Sequence, residues 1–168
     1  TELENDSYLD ALVLSEVMFD RSNRSIRMLA GQSCVRFLET LQRSFAAALE
    51  RLRVNGGRVQ ILLIANSVPQ FLLELQAKYQ GTLDCGLGKL KDGATQIGHF
   101  LVCDSKMARI EQPHDTLTEE TPVDAVRAKV YFSDPVRAQF LETRFDAFWR
   151  IVRPDTQKAA AVAMAGAA

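Results

Sequence analysis

Hydrophobic and polar positions along the chain switch repeatedly between two spacings, three-to-four and two. Near the start, Leu9, Leu12, Val13 and Val17 recur at helical spacing after Ser7, a residue suited to cap a helix N-terminus. Ile26, Met28 and Ala30 then alternate with Ser25, Arg27 and Leu29, which predicts a short, half-buried strand. Cys34, Phe37, Leu38, Leu41, Phe45, Leu49 and Leu52 form one apolar stripe and predict a long helix, capped by Ser33 and ended by Asn55-Gly56-Gly57. Val59 to Ala65 is almost wholly apolar and rich in β-branched side chains, as in a strand covered on both faces.

Further along, Ser67 and Pro69 open a helix whose inner face is Phe71, Leu72, Leu75 and Tyr79, and Gly81 closes it. Leu83, Cys85 and Leu87 alternate as in a strand, and Asp92-Gly93 marks a turn. Ile97 to Cys103 and Met107 to Glu111 read as a hairpin about Asp104-Ser105-Lys106. Gln112 to Asp124 is polar and predicts an exposed loop, followed by a strand from Ala125 to Phe132. Ser133-Asp134-Pro135 starts a last helix with Leu141, Phe145, Phe148, Trp149 and Val152 inward, and Pro154 is expected to end it. The order α-β-α-β-α-β-β-β-β-α predicts an α/β fold with a mixed β-sheet flanked by helices. It divides into an N-terminal helix in residues 1–20 packed on the domain, an α/β domain in 21–153, and an Ala-rich tail in 154–168, read as a poorly specified tail or a helix docked on a partner.

Composition narrows the picture by exclusion. The 168 residues suffice for one domain with a substantial core. A net charge of −1 gives no global excess of positive charge to attract nucleic acid. Cys34, Cys85 and Cys103 are odd in number and far apart, which favours reduced, buried thiols over zinc or disulfides and points to a cytoplasmic setting. No run reaches the ~18 apolar residues of a membrane span. The acidic, polar start is unlike a secretory signal. No phosphate-cradling glycine loop, dinucleotide fingerprint or metal-ligand cluster occurs, so neither a cofactor nor a metal is expected.

The same order of elements resembles the phospholipase D-like superfamily, as a single half. Ser25-Ile-Arg-Met-Leu is similar to that family's first strand. Residues 53–64, Arg-Val-Asn-Gly-Gly-Arg-Val-Gln-Ile-Leu-Leu-Ile, resemble its passage from helix through glycine to a buried strand. Residues 99–106, His-Phe-Leu-Val-Cys-Asp-Ser-Lys, resemble its catalytic strand and turn, and Val130-Tyr-Phe-Ser-Asp-Pro with the helix to Trp149 its closing strand and helix. The family motif, His-x-Lys-x4-Asp, implies a histidine nucleophile, a lysine that steadies phosphate charge and an aspartate that completes the site. Two such motifs face each other, in one chain or across a dimer.

This sequence departs from that motif in either register. Starting at His99 puts Leu101 on the lysine and Lys106 on the aspartate. Matching the turn puts Asp104 on the aspartate, His99 on the lysine and Ile97 on the nucleophile; this register is preferred, because Phe100 to Asp104 then overlays the family's apolar strand. A phosphohistidine route needs a nucleophile, a proton donor and cations about the phosphate oxygens.

The candidate catalytic residues are thus His99 and Asp104, and the candidate phosphate-binding residues Arg27, His99 and Lys106. Each has a plainer alternative: a satisfied core histidine, a turn aspartate, or the wet side of an element. The pair His114-Asp115 reads as solvated loop. Arg24, Arg27, Arg51, Arg53 and Arg58 could form a phosphate-binding face, although no aromatic residues interleave with them. The implied function is a non-catalytic binding or regulatory module with a phosphate-bearing ligand, working as a homodimer. The alternative is a divergent phosphodiesterase or nuclease using His99 from two subunits, and nucleic-acid binding is a lesser option.

Overall fold

In the computed structural model, the chain builds a seven-stranded mixed sheet with helices on both faces. The structure describes residues 2–31, 34–89, 98–113 and 127–165, with side chains to residue 152 except at 34 and 35. Ser33, Asp92-Gly93, Ile97, His114, Asp115 and most of the expected 112–124 loop lie outside the described residues.

The elements in chain order are β1 (Glu2–Asn5), α1 (Tyr8–Arg21), β2 (Ser25–Gly31), α2 (Cys34–Thr40), α3 (Gln42–Val54), β3 (Arg58–Ile64), α4 (Gln70–Lys78), β4 (Leu83–Gly88), β5 (Phe100–Cys103), β6 (Met107–Glu111), β7 (Ala128–Tyr131) and α5 (Pro135–Ala165). Across the sheet the strands run β1-β7-β6-β5-β2-β3-β4. The strands β2, β3 and β4 are parallel and joined by helical crossovers, whereas β5, β6, β7 and β1 extend the sheet antiparallel from the other side of β2. The mixed sheet is thus the expected one, with β2 as the seam between its two halves.

Alternation along β2 divides two cores. Ile26, Met28 and Ala30 point into a large cluster with Met18, Phe19, Leu38, Phe45, Leu49 and Leu72 from the helices α1 to α4. On the other face, Leu29, Leu62, Phe100, Val102 and Ala108 meet Ala138, Leu141 and Phe145 of α5. The strand β2 is therefore covered on both faces rather than half buried.

Gly86 lets α5 lie close to β4. A Cβ there would come within 2.9 Å of the Trp149 ring.

The structure corrects several details. β1 was not expected. Its Glu-Leu-Glu-Asn sequence carries no apolar alternation, and it forms by pairing with β7, as Leu3 to Val130 and Asn5 to Ala128. The stripe of α1 is turned: Ala11, Ser15, Met18 and Phe19 are buried, whereas Leu9 and Val13 are exposed. This helix is apolar on more than one side, so spacing alone did not select the buried face. The long helix after β2 is two, parted at Leu41, where no glycine or proline marks the break. Phe148 sits at the rim of α5 rather than in its core. The helix α5 also runs through Pro154 to Ala165. Proline lacks one N–H, but its fixed φ is helical and the Ala-rich sequence after it favours helix.

Ser7 and Asp134 cap their helices as expected. Ser7 Oγ accepts from the Asp10 N–H, and Asp134 accepts from the Arg137 N–H at 2.9 Å. That N–H and the Arg137 side chain hold the Asp134 carboxyl below its ordinary range.

Asp104 clasps the seam. Its carboxylate accepts the backbone N–H groups of Asn23, Arg24 and Ser25 at 2.9, 2.8 and 2.9 Å, tying the β5–β6 turn to the start of β2. Asp104 and Ser105 both have positive φ, 53° and 54°, as the tight turn requires. Replacing Asp104 by Gly keeps that turn geometry but removes the acceptor. It should cost about 1–2 kcal/mol, and the thermal melting midpoint should fall by roughly 3–8 °C.

Burial pushes the Cys85 and Cys103 thiols up to about 12. Both therefore stay protonated at neutral pH, and the reactive thiolate is scarce. Alkylation of these two at pH 8, followed by mass spectrometry, should be slow in the native protein and rapid in denaturant.

Candidate functional site

At one end of the sheet, a buried polar cluster is built from strand register. The Glu111 N–H donates to the His99 carbonyl at 2.9 Å, so the two residues sit opposite each other and their side chains share a face. Leu101 lies two positions along from His99, on the face packed by α1 to α4, and it pairs with Arg109. Hence His99, Arg109 and Glu111 all project toward the α1–α4 side. Asn5, brought alongside by β1, completes the set.

The ring nitrogen Nδ1 of His99 lies 3.2 Å from Glu111 Oε1, and Arg109 Nη1 lies 2.5 Å from Glu111 Oε2. Arg109 Nε and Nη2 each donate to Asn5 Oδ1 at 3.2 Å, and its guanidinium lies 5.8 Å from the Phe37 ring centroid. All four polar residues are buried. A carboxylate only accepts, so the His99–Glu111 contact needs a proton on Nδ1; in the neutral ring this places the lone pair on Nε2. Charges removed from water are tolerated when paired and hydrogen-bonded, as here. Glu111 receives both neighbours, one on each oxygen.

Gly31, the last residue of β2, makes room for the imidazole. A Cβ at this position would stand 2.8 Å from His99 Nε2.

The residues singled out from the sequence do not converge. Asp104 lies at the other end of β5 from His99, about 16 Å away at the rise of a strand, and its carboxylate is occupied by backbone N–H groups. Lys106 is exposed in that same distant turn. Arg27 projects to the α5 face, where it pairs with Glu142 at 2.7 Å and Asp146 at 3.7 Å.

The wider arginine set disperses too. Arg51 donates to the Ser22 carbonyl at 2.7 Å and to that of Phe19, closing the end of α1. Arg53 pairs with Glu50 on its own helix. Arg24 and Arg58 are exposed where β2 and β3 begin.

Glu111, Arg109 and Asn5 were missed. The first two had a signal, since alternation in Met-Ala-Arg-Ile-Glu puts both on one face of β6. Asn5 had none, because its strand was not legible.

Among the described residues, no group of His, Cys, Asp and Glu is arranged to hold a metal ion. No helix of the described residues is long and apolar enough to cross a membrane.

No family model and no curated protein sequence matches the chain. Solved structures do. The chain is similar to TrmBL2, an archaeal chromatin protein described as showing a novel mode of DNA binding (TM-score 0.65, 14% identity), covering 90% of this chain and 53% of that one. It is similar to Nuc from Salmonella typhimurium, a phospholipase D family member (TM-score 0.63, 15% identity), over 89% of this chain and 94% of that one. NucT from Helicobacter pylori superimposes with TM-score 0.59 at 11% identity, over 88% and 94% of the two chains. The chain thus has the phospholipase D-like α/β fold, and it spans about half the length of the archaeal protein but nearly all of Nuc and NucT.

Gly31→Ala should drive a methyl group into the His99 ring and cost about 1–3 kcal/mol, read by chemical denaturation. Adding His99→Ala should recover part of that loss, a coupling that a double-mutant cycle measures.

Proposed function

We propose that the chain is a non-catalytic phospholipase D-like module that binds or regulates, works as a homodimer and takes a phosphate-bearing ligand. The observation that carries this reading is the pairing of Arg109, the cation that shares Glu111 with His99 among the described residues. Arg109 is bonded to Glu111 and Asn5, and Arg27 and Lys106 lie elsewhere. Phosphoryl transfer needs cations where charge develops on the phosphate oxygens. The preferred motif register adds that Ile97 stands where the family has its nucleophile. The homodimer rests on the family's paired halves, of which this chain supplies one. A phosphate-bearing ligand is favoured by the place of the cluster, beside the carboxyl ends of β2 and β3, where open α/β sheets commonly bind ligands.

One observation favours a second reading, a divergent phosphodiesterase or nuclease. The His99–Glu111 pair orients an imidazole as carboxylates do in acid–base sites. The two readings separate in an assay of bis-p-nitrophenyl phosphate hydrolysis by wild type and His99→Ala. Equal, background-level rates are expected. Turnover in wild type that His99→Ala abolishes would refute the non-catalytic reading. For a nucleic-acid ligand, labelled DNA or RNA should shift at low salt and be released as salt rises; unchanged mobility at low salt would remove that ligand class.

A further inference from the structure

A cavity lies at the end of the sheet away from His99, where β3 and β4 begin. Its volume is about 170 Å³, room for five or six water-sized groups at ~30 Å³ each. Sites for drug-sized molecules begin at ~300 Å³, so this one suits a smaller ligand. Its polar lining is Arg58 and Gln60 from β3, Thr82 and Asp84 from the start of β4, and Gln76 and Gln80 from α4 and the turn after it.

Strand pairing decides how these groups are divided. Gln60 pairs with Asp84 across the β3–β4 ladder, and Leu62 pairs with Gly86 two residues on. Leu62 packs in the α5 core, and a Cβ at Gly86 would meet the Trp149 ring. By alternation Arg58, Gln60 and Asp84 therefore share the α5 face, with Asp84 one diagonal step, about 8 Å, from Arg58. A guanidinium only donates, so the contact of Arg27 Nε with Gln60 at 3.4 Å takes the amide oxygen. The amide NH₂ of Gln60 is left for the cavity. The β3 side is thus a wall of donors. The β4 side offers the Asp84 carboxylate, an acceptor, and the Thr82 hydroxyl.

These groups are not spent elsewhere. Among the described residues, neither the Arg58 guanidinium nor the Asp84 carboxylate has an ion pair or side-chain hydrogen bond, with each other or with a third residue. The same holds for Gln76, Gln80 and the Thr82 hydroxyl. Thr82 is the telling case, because it is only 7% exposed, and a buried hydroxyl ordinarily has a partner. Elsewhere on the α5 face the charges are answered, as Arg27 is by Glu142 and Asp146.

The charges select the ligand. A bare anion suits Arg58 but meets the Asp84 carboxylate. A metal ion suits Asp84 but meets Arg58. A neutral molecule answers neither. A molecule with both a carboxylate and an ammonium group answers both, so that each charge taken from water gains an opposite one. We infer that this cavity binds a small free α-amino acid. Arg58 and the Gln60 amide hold its carboxylate, and Asp84 and the Thr82 hydroxyl hold its ammonium group. Gln76 and Gln80 remain for a polar side chain. This site is separate from the phosphate-bearing ligand proposed above, which belongs to the His99 end of the sheet.

The test is isothermal titration calorimetry of the full chain with glycine, L-alanine, L-serine, L-asparagine and L-aspartate. At least one should bind saturably, and the backbone amide resonances it shifts should centre on Gln80 to Asp84. Arg58→Met and Asp84→Asn should each weaken that binding roughly tenfold or more, as loss of a charged hydrogen bond does. Thr82→Val should weaken it by less. Arg58 and Asp84 are exposed, so these two variants should melt as wild type does. The decarboxylated and deaminated analogues of the amino acid that binds, ethanolamine and 3-hydroxypropionate in the case of serine, should not bind.

Saturable binding by none of the five would overturn this site. So would binding that survives both Arg58→Met and Asp84→Asn, or an analogue lacking either charged group that binds equally well. None of these results touches the phosphate-bearing reading, which concerns the other end of the sheet.

Discussion

The seam between β2 and β5, fastened by the Asp104 carboxylate, is the constraint on which the rest of the architecture depends. The fold joins a parallel half, β2-β3-β4, to an antiparallel half, β5-β6-β7-β1, along one strand pair. Parallel strands are held by crossover helices and antiparallel ones by their hairpins, so neither device sets the register between the halves. The β2–β5 ladder does so, and Asp104 fastens its end by drawing the N–H groups of residues 23 to 25 onto the β5–β6 turn, about 80 residues apart in sequence. The β5–β6 register sets Glu111 opposite His99, and the β6–β7 and β7–β1 pairings bring Asn5 to Arg109. The residue that the family motif suggests as part of a catalytic site is here a clasp on the seam between the two halves of the sheet.

The two faces of the sheet carry different properties. The α1–α4 face holds the large core and, at its edge, the buried His99–Glu111–Arg109–Asn5 cluster. The α5 face holds the smaller core and Arg27, which is bound to Glu142 and Asp146. Because the sheet lies between them, Arg27 and His99 cannot meet one ligand. Charge pairing follows the same division: Arg109 is answered by Glu111 on one side and Arg27 by Glu142 and Asp146 on the other.

Legibility in the sequence followed the strength of local patterning. The strand from Arg58 to Ile64, the hairpin about Asp104-Ser105 and the Asp134 cap could be read because run length, turn chemistry and capping are local properties. The strand β1 could not be read, since Glu2 to Asn5 becomes a strand only when β7 offers its edge. The buried face of α1 was misjudged because Leu9 and Val13 are as apolar as Ala11 and Met18, and only the position of α3 selects among them. The candidate site was legible in part. His99 was found through its motif position, while Glu111 and Arg109 became partners only through a cross-strand register that no single segment contains.

The sequence by itself determined the order of elements from α1 onward apart from the break at Leu41, the mixed α/β class, and that no His-x-Lys-x4-Asp motif occurs in it, because each follows from short-range periodicity or residue identity. Tertiary structure decided where the charges go. It sent Arg27 to α5, gave Asp104 to three backbone N–H groups, set His99 against Glu111 and left one side of α5 facing water. The physical reason is that alternation states only that neighbouring side chains point to opposite faces. Which face meets which helix, and which carboxylate lies across the ladder, is fixed by pairing between segments distant in the chain.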